Sequence, residues 1–116
     1  MSPFGLVVRF VLRPGRAEAF DAMMRETVAG IAAHEPHTLI YAVHAPEGEP
    51  DVRVFYELYT SEEALAEHES QPTTRRFLDR VDEYVTNVEV QRLHLVTGTG
   101  IPDGPADGEP PAQAPR

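Results

Sequence analysis

Hydrophobic side chains recur along residues 1–97 with two different spacings, which separate predicted strands from predicted helices. Four segments are dense in β-branched and aromatic residues and are bounded mostly by Pro and Gly, which is typical of β-strands. They cover residues 4–12, 38–45, 52–60 and 87–96. Between them, apolar residues recur every three or four positions, as on one face of a helix.

Two helical regions fit between these strands. The first contains Phe20 and Ile31 and ends before Pro36, because the residue before a proline disfavours the helical conformation. The second follows Ser61, whose hydroxyl can cap free N–H groups, and Pro72 divides it in two. The order βαββαβ predicts an α+β, ferredoxin-like fold: a four-stranded antiparallel sheet with the helices on one face.

The first strand is apolar on both faces, which a single layer of helices does not satisfy. One face carries Leu6, Val8, Phe10 and Leu12. On the other face Val7 and Val11 flank Arg9. Because an exposed apolar sheet face usually marks an interface, we expect a homodimer packed sheet against sheet, which makes a dimeric α/β barrel.

Composition divides the chain and restricts its partners. Of the 19 residues from 98 to 116, 9 are Gly or Pro; we therefore predict a folded domain over 1–97 and a disordered or loosely packed tail over 98–116.

With 10 Lys+Arg against 19 Asp+Glu, the formal charge of −9 disfavours nucleic acid and anionic membranes as partners. The absence of Cys excludes thiolate catalysis and Cys-ligated metals. No signal peptide or membrane span is visible, so we expect a cytoplasmic protein.

His68 is the first candidate for a catalytic base. It follows Ala64 by four residues and Leu65 by three, so it shares their inward helix face, and imidazole suits proton transfer near neutral pH. It can equally be a helix-capping or hydrogen-bonded core histidine. Four aromatic residues can line a pocket or simply fill the core: Tyr41, Phe55, Phe77 and Tyr84.

Glu57 lies in an otherwise apolar strand and shares a face with Phe55 and Tyr59. A buried carboxylate must be paired or must shift its pKa. Glu57 therefore either serves the chemistry, by orienting His68 or acting as a base, or pairs with an arginine such as Arg9 or Arg92, within the chain or across the predicted dimer. The Tyr59 hydroxyl, like those of Tyr41 and Tyr84, can donate a hydrogen bond to a substrate oxygen.

A cluster around Pro36 resembles a metal site only superficially. His34, Glu35 and His37 lie close in sequence, but Pro36 breaks the helix and with it the spacing that ligands on one helix face require. We interpret this segment as a solvated loop and predict no metal site.

Four blocks of the sequence resemble the antibiotic biosynthesis monooxygenase (ABM) domain family, over about residues 4–96. They are LRPG at 12–15 with Phe20, EPHTLIY at 35–41, FYELY at 55–59 with SEEALAEH at 61–68, and Gln71-Pro72 with Phe77. Val8 stands where haem-degrading relatives carry Asn, and the chain has no Trp, which argues against haem degradation.

The resemblance implies a dimeric α+β barrel with a pocket between helices and sheet. It also implies oxidation of electron-rich aromatic compounds, such as quinols and anthrones, by molecular oxygen without metal or organic cofactor. The sequence prediction is thus a cofactor-independent monooxygenase of a small aromatic substrate. Its catalytic residues are His68, Glu57 and Tyr59, and its substrate contacts are Tyr41, Phe55, Phe77 and Tyr84. Two alternatives are a non-catalytic ligand-binding or stress-response module and an isomerase of small carbonyl compounds with His68 or Glu57 as proton shuttle.

Overall fold

A computed structural model describes residues 2–105 and contains one four-stranded antiparallel sheet with its helices on one face. The strands are β1 (Phe4–Leu12), β2 (Thr38–His44), β3 (Val52–Tyr59) and β4 (Val85–His94). The helices are α1 (Ala17–His34), α2 (Glu62–Ser70) and α3 (Pro72–Arg80), and a 3-10 turn follows at Val81–Glu83. The strands are ordered β2-β3-β1-β4, which confirms the predicted ferredoxin-like fold.

Local sequence signals set most of these boundaries. Gly15 adopts a positive φ of 79° in the turn before α1, a conformation that glycine reaches without steric cost. The Ser61 hydroxyl accepts a hydrogen bond from the Ala64 N–H at 3.3 Å and so caps α2. Pro72 is the first residue of α3, where its missing N–H costs nothing. The break that divides α2 from α3 therefore lies where the sequence predicted it.

Aromatic rings fill the space between sheet and helices. Phe10 lies with its ring centroid 4.6 Å from that of Phe55, and Phe20 and Phe77 surround this pair at centroid distances of 5.8 to 6.4 Å. All four side chains are buried. This cluster forms a rigid base beside which the polar residues of β2, β3 and α2 are held.

The opposite sheet face is covered less completely. Val7, Val11 and Val54 are half-buried there. After β4 the chain crosses the end of the sheet: the Leu95 N–H donates to the Pro3 carbonyl at 3.4 Å, and Gly104 packs against Thr60. Of the predicted tail, Gly104 and Pro105 thus lie against the domain, and 106–116 lie outside the described residues. No helix among residues 2–105 is long and apolar enough to cross a membrane.

Candidate functional site

His68 lies in the last turn of α2, where its side chain is only 5% exposed. Its Nδ1 is 2.7 Å from Oε1 of Glu35, which follows α1 directly and whose N–H donates to the Ile31 carbonyl. The same carboxylate oxygen accepts a hydrogen bond from the Thr38 hydroxyl at 2.9 Å. The end of α1 and the start of β2 thus supply a buried carboxylate that fixes the His68 ring.

The two ring nitrogens of His68 have different surroundings. A carboxylate only accepts hydrogen bonds, so Nδ1 carries the proton that faces Glu35, and the Thr74 hydroxyl is 3.4 Å from the same nitrogen. Nε2 has no hydrogen-bond partner within residues 2–105. Since no enclosed side-chain nitrogen or oxygen in that range is left unpaired, Nε2 is not fully enclosed, and with the proton on Nδ1 it carries a free lone pair. His68 lines a cavity between the sheet and helices α2 and α3.

The sequence-based interpretation of Glu35 and of the Glu57 partner requires correction. Glu35 is buried against α2 rather than solvated in a loop, and it, not Glu57, holds the His68 ring. Within residues 2–105 of the single chain, Glu57 pairs with no arginine: it accepts a hydrogen bond from the Tyr59 hydroxyl at 2.5 Å. The two arginines considered as partners, Arg9 and Arg92, bind Glu49 and Glu62 at 3.0 Å.

Burial raises the pKa of three ionisable groups near His68, namely Glu57, Tyr59 and Tyr41. It raises the pKa of Glu57 above the ordinary carboxyl value, an effect that the Tyr59 hydrogen bond and nearby His68 oppose. Burial and, secondarily, the charge of Glu57 raise the pKa of Tyr59 and of Tyr41. Both tyrosines therefore remain neutral hydrogen-bond donors at neutral pH.

Tyr41 and Tyr59 pack on the ring of His68, with centroid distances of 5.3 and 5.4 Å. The Tyr59 hydroxyl is engaged by Glu57. The Tyr41 hydroxyl has no hydrogen-bond partner in the described part of the chain and is not enclosed, so it is available to a ligand. Tyr59 instead secures Glu57 beneath the site.

A cavity of about 250 Å³ opens between the sheet and the pair α2 and α3. Its polar lining includes His68, Tyr41, Glu57 and Thr74, and Phe77 forms part of its apolar wall. The other two predicted contacts lie elsewhere. Phe55 is fully buried behind the wall, and the Tyr84 hydroxyl accepts a hydrogen bond from Arg80 at 2.8 Å, outside this cavity.

The family model for antibiotic biosynthesis monooxygenases matches residues 3–80 of the chain. The chain belongs to the ABM family. No curated protein matches it. The matched range contains α1 to α3 and β1 to β3. It also contains the four polar cavity residues named above, which are Tyr41, Glu57, His68 and Thr74.

Solved structures share the ABM fold. The Mycobacterium tuberculosis protein Rv0793 is 25% identical, with a TM-score of 0.77 over 85% of this chain and 100% of that one. A Chloroflexus aurantiacus protein named for the same family is 24% identical, with a TM-score of 0.76 over 87% and 100%. One from Caulobacter crescentus is 23% identical, with a TM-score of 0.78 over 83% and 92%. These likenesses establish the fold.

The sequence blocks that resemble the ABM family include Glu35, which the spacing of hydrophobic residues did not identify as a site residue. Glu35 and Thr38 both belong to the block at 35–41, and His68 ends the block at 61–68. Their contact joins two separate blocks, which is what a shared site would require. Among residues 2–105, no group of three or more His, Cys, Asp or Glu side chains is arranged to hold a metal ion.

Proposed function

We propose that this ABM-family protein is a monooxygenase that oxidises an electron-rich aromatic compound of the quinol or anthrone type with molecular oxygen. The observation that carries the proposal is the His68 ring, held at Nδ1 by Glu35, with Nε2 not fully enclosed and the ring lining a largely apolar cavity. The proposal requires no resident cofactor, because the substrate anion is itself the reductant of oxygen.

The first step is removal of a proton from the phenol or enol by Nε2 of His68. Glu35 favours this step because its negative charge, 2.7 Å from Nδ1, stabilises the imidazolium that forms. Thr38 keeps the carboxylate in place through its own hydrogen bond. A positioned general base of this kind contributes about 10²–10⁴ in rate.

The substrate oxygen then carries a negative charge that needs a donor. The free hydroxyl of Tyr41, whose ring packs against that of His68, is suited to donate a hydrogen bond to it. A donor preorganised in a water-poor cavity stabilises such a charge more strongly than water does. Tyr41 is therefore assigned to oxyanion binding, and Glu57 with Tyr59 to the support of the cavity floor.

The oxidation itself proceeds between the substrate anion and oxygen. The anion passes one electron to oxygen, and the resulting pair combines into a peroxide at the activated carbon. Imidazolium returns its proton to the outer peroxide oxygen, which gives a hydroperoxide at a carbon that still carries one hydrogen. His68 Nε2 then takes that C–H proton as the C–H electrons form the carbonyl and the O–O bond breaks, and the hydroxide that leaves takes the proton to become water. One atom of O₂ thus becomes the carbonyl oxygen and the other leaves as water, whose hydrogens are the proton first removed from the substrate and the C–H proton.

Oxygen uptake with anthrone and a set of hydroquinones tests this function. We expect His68→Gln to lower the rate by about 10² or more, and Glu35→Gln to lower it less, because it retains the base but loses the charge that holds it. His34→Gln, at an exposed position on α1, is the matched control and should match the wild type.

Two results would overturn the assignment. Equal rates for the wild type and His68→Gln would remove His68 from the reaction. If the wild-type protein consumed no oxygen with any of these substrates, the monooxygenase function would be rejected in favour of ligand binding without turnover.

A further inference from the structure

A second cavity lies between α1 and the β2 edge of the sheet, apart from the one that His68 lines. Its residues come from one stripe of α1, the C-terminal half of β2 and the start of β3, and Tyr41 is the one residue that both linings contain. Its volume is about 370 Å³, within the roughly 300–1,000 Å³ of small-molecule sites. This cavity can therefore hold a ligand of its own.

The walls of this second cavity are apolar. Met24 and Val28 are four residues apart on α1 and so share one face of the helix, and Tyr41 and Val43 complete the walls from β2. Met24 is buried, whereas the other three side chains are half-buried. A compact apolar group bound between them would remove further apolar surface from water, which is favourable.

The acid in the lining is already paired. The two carboxylate oxygens of Asp21 accept hydrogen bonds from Nε and Nη2 of Arg53, at 2.8 and 3.0 Å. Nη1 of Arg53 donates to the carbonyls of Val52 at 2.7 Å and Pro50 at 3.2 Å. Because every donor group of this arginine and both oxygens of the aspartate are engaged, the pair forms a fixed wall and does not compete for a charged ligand.

Arg25 is a cation of this lining that has no acidic partner. It is exposed on α1 and forms no ion pair within residues 2–105. A partner on the same helix would lie three or four residues away, and Asp21 is the one acid at those positions. Since Arg53 occupies Asp21, the Arg25 guanidinium is available, and the exposed His44 adds a ring N–H donor at the end of β2.

The charge of this lining is opposite to that of the whole chain. With histidine neutral, it holds two arginines and one aspartate, whereas the His68 cavity holds one arginine and two glutamates and the chain carries −9. An excess of positive charge in a cavity favours an anionic ligand. One free guanidinium matches one carboxylate, which it can bind through two parallel N–H···O bonds.

We propose that this cavity is a second small-molecule site and that it binds a monocarboxylate with a compact apolar body, such as an arenecarboxylate. The carboxylate binds Arg25 and accepts a further hydrogen bond from His44. The apolar body packs between Met24 and Val43. This assignment does not depend on the proposed oxygenation chemistry.

Methionine methyl groups report on this site by NMR. Met24 lines the cavity, whereas its neighbour Met23 lines the groove between α1 and α3. The full chain, labelled with ¹³C at its methionine methyl groups, is titrated with benzoate. We expect the Met24 signal to move and saturate while the Met23 signal stays in place. Benzamide has the same shape without the charge, so its Kd should be higher by at least about threefold.

Arg25→Gln tests the cation directly, because it leaves the pair of Asp21 and Arg53 intact. The Kd of benzoate should rise about three- to tenfold, to a value close to that of benzamide. Arg75→Gln is the matched control, since Arg75 is exposed on α3 and lies outside both cavities. It should leave the Kd unchanged, and His68→Gln should keep it within about twofold.

Three results would overturn this assignment. The first is a Met24 signal that does not move with benzoate up to about 50 mM. The second is a Kd that Arg25→Gln leaves unchanged or that Arg75→Gln raises equally, which would mean non-specific attraction to arginine. The third is loss of the Met24 response in His68→Gln, which would place benzoate in the His68 cavity.

Discussion

Two buried carboxylates in one site have different neighbours and therefore different properties. Glu35 faces the His68 ring and the Thr38 hydroxyl, so its charge is balanced by donors. Glu57 has the Tyr59 hydroxyl as its hydrogen-bond donor, and burial raises its pKa. One glutamate thus holds the His68 ring, and the other is hydrogen-bonded to Tyr59 in the lining of the cavity.

The raised pKa of Glu57 predicts a pH-dependent contribution to stability. The folded state binds this proton more tightly than the unfolded state, whose pKa is near the ordinary 4.5. The contribution is therefore fully present below about pH 4.5 and is lost as the pH rises through the folded-state pKa. Urea unfolding of the wild type and Glu57→Gln should show a difference in unfolding free energy that falls with rising pH, by at most about 1.4 kcal/mol per pH unit.

Glu47→Gln is the control for that measurement, since Glu47 is exposed in the loop between β2 and β3. Its difference from the wild type should stay flat. A difference for Glu57→Gln that is constant from pH 4 to 8 would contradict the burial argument.

The sequence predicted these residues unequally, for physical reasons. Strand alternation correctly gave Glu57 and Tyr59 a common face, but alternation alone does not identify the hydrogen-bond partner of Glu57, which is the Tyr59 hydroxyl and not an arginine among the described residues. Glu35 follows the last turn of α1 and precedes Pro36, so local signals indicated a loop. Its burial depends on His68, which lies 33 residues further along the chain. A contact at that distance does not affect the local spacing of hydrophobic residues from which the elements were predicted.

At the scale of elements, Gly30 sets the distance between α1 and α3. A Cβ added at this position would lie 2.8 Å from the Thr73 hydroxyl oxygen and 3.0 Å from its Cγ2. This contact explains a glycine inside a helix, where alanine is normally favoured by about 1 kcal/mol. The close approach fixes α3, which carries Phe77 and Thr74 of the cavity wall.

We expect Gly30→Ala to destabilise the protein by about 1 kcal/mol or more, since overpacking outweighs the gain in helix propensity. In a Thr73→Ala background the same change should become stabilising, because the obstructing atoms are gone. Thermal unfolding of the four proteins of this cycle measures the coupling. Additive effects of the two substitutions would refute the steric explanation.

The elements themselves were largely predictable. Pro14-Gly15, Pro36 and Pro72 interrupt the pattern where the structure also has breaks. The last strand differs: β4 begins at Val85, two residues before the predicted start, and ends at His94 rather than Val96. Val85 packs into the core directly after the short 3-10 turn. Because no Pro or Gly separates the helical pattern from this strand, the sequence does not mark the residue at which the strand begins.

At the scale of the molecule, the half-buried outer sheet face predicts a homodimer. Val7, Val11 and Val54 give that face apolar area which a second copy would cover. Sedimentation at micromolar concentration should give twice the mass of one chain, and Val54→Glu should shift the protein toward monomers. Ala33→Glu, at an exposed position of α1, should leave the mass unchanged. A monomeric wild-type protein would refute this arrangement.

The strand order also determines when the site can assemble during synthesis. β1 is made first and lies in the centre of the sheet, yet its second neighbour, β4, is made last. Until β4 leaves the ribosome, one edge of β1 has no hydrogen-bonding partner, and an apolar strand with an open edge invites pairing with other chains. Val88 and Val90, which line the His68 cavity, arrive on β4, so this side of the cavity is the last part to form. A nascent chain can hold His68 and Glu35 together before the lining of the cavity is complete.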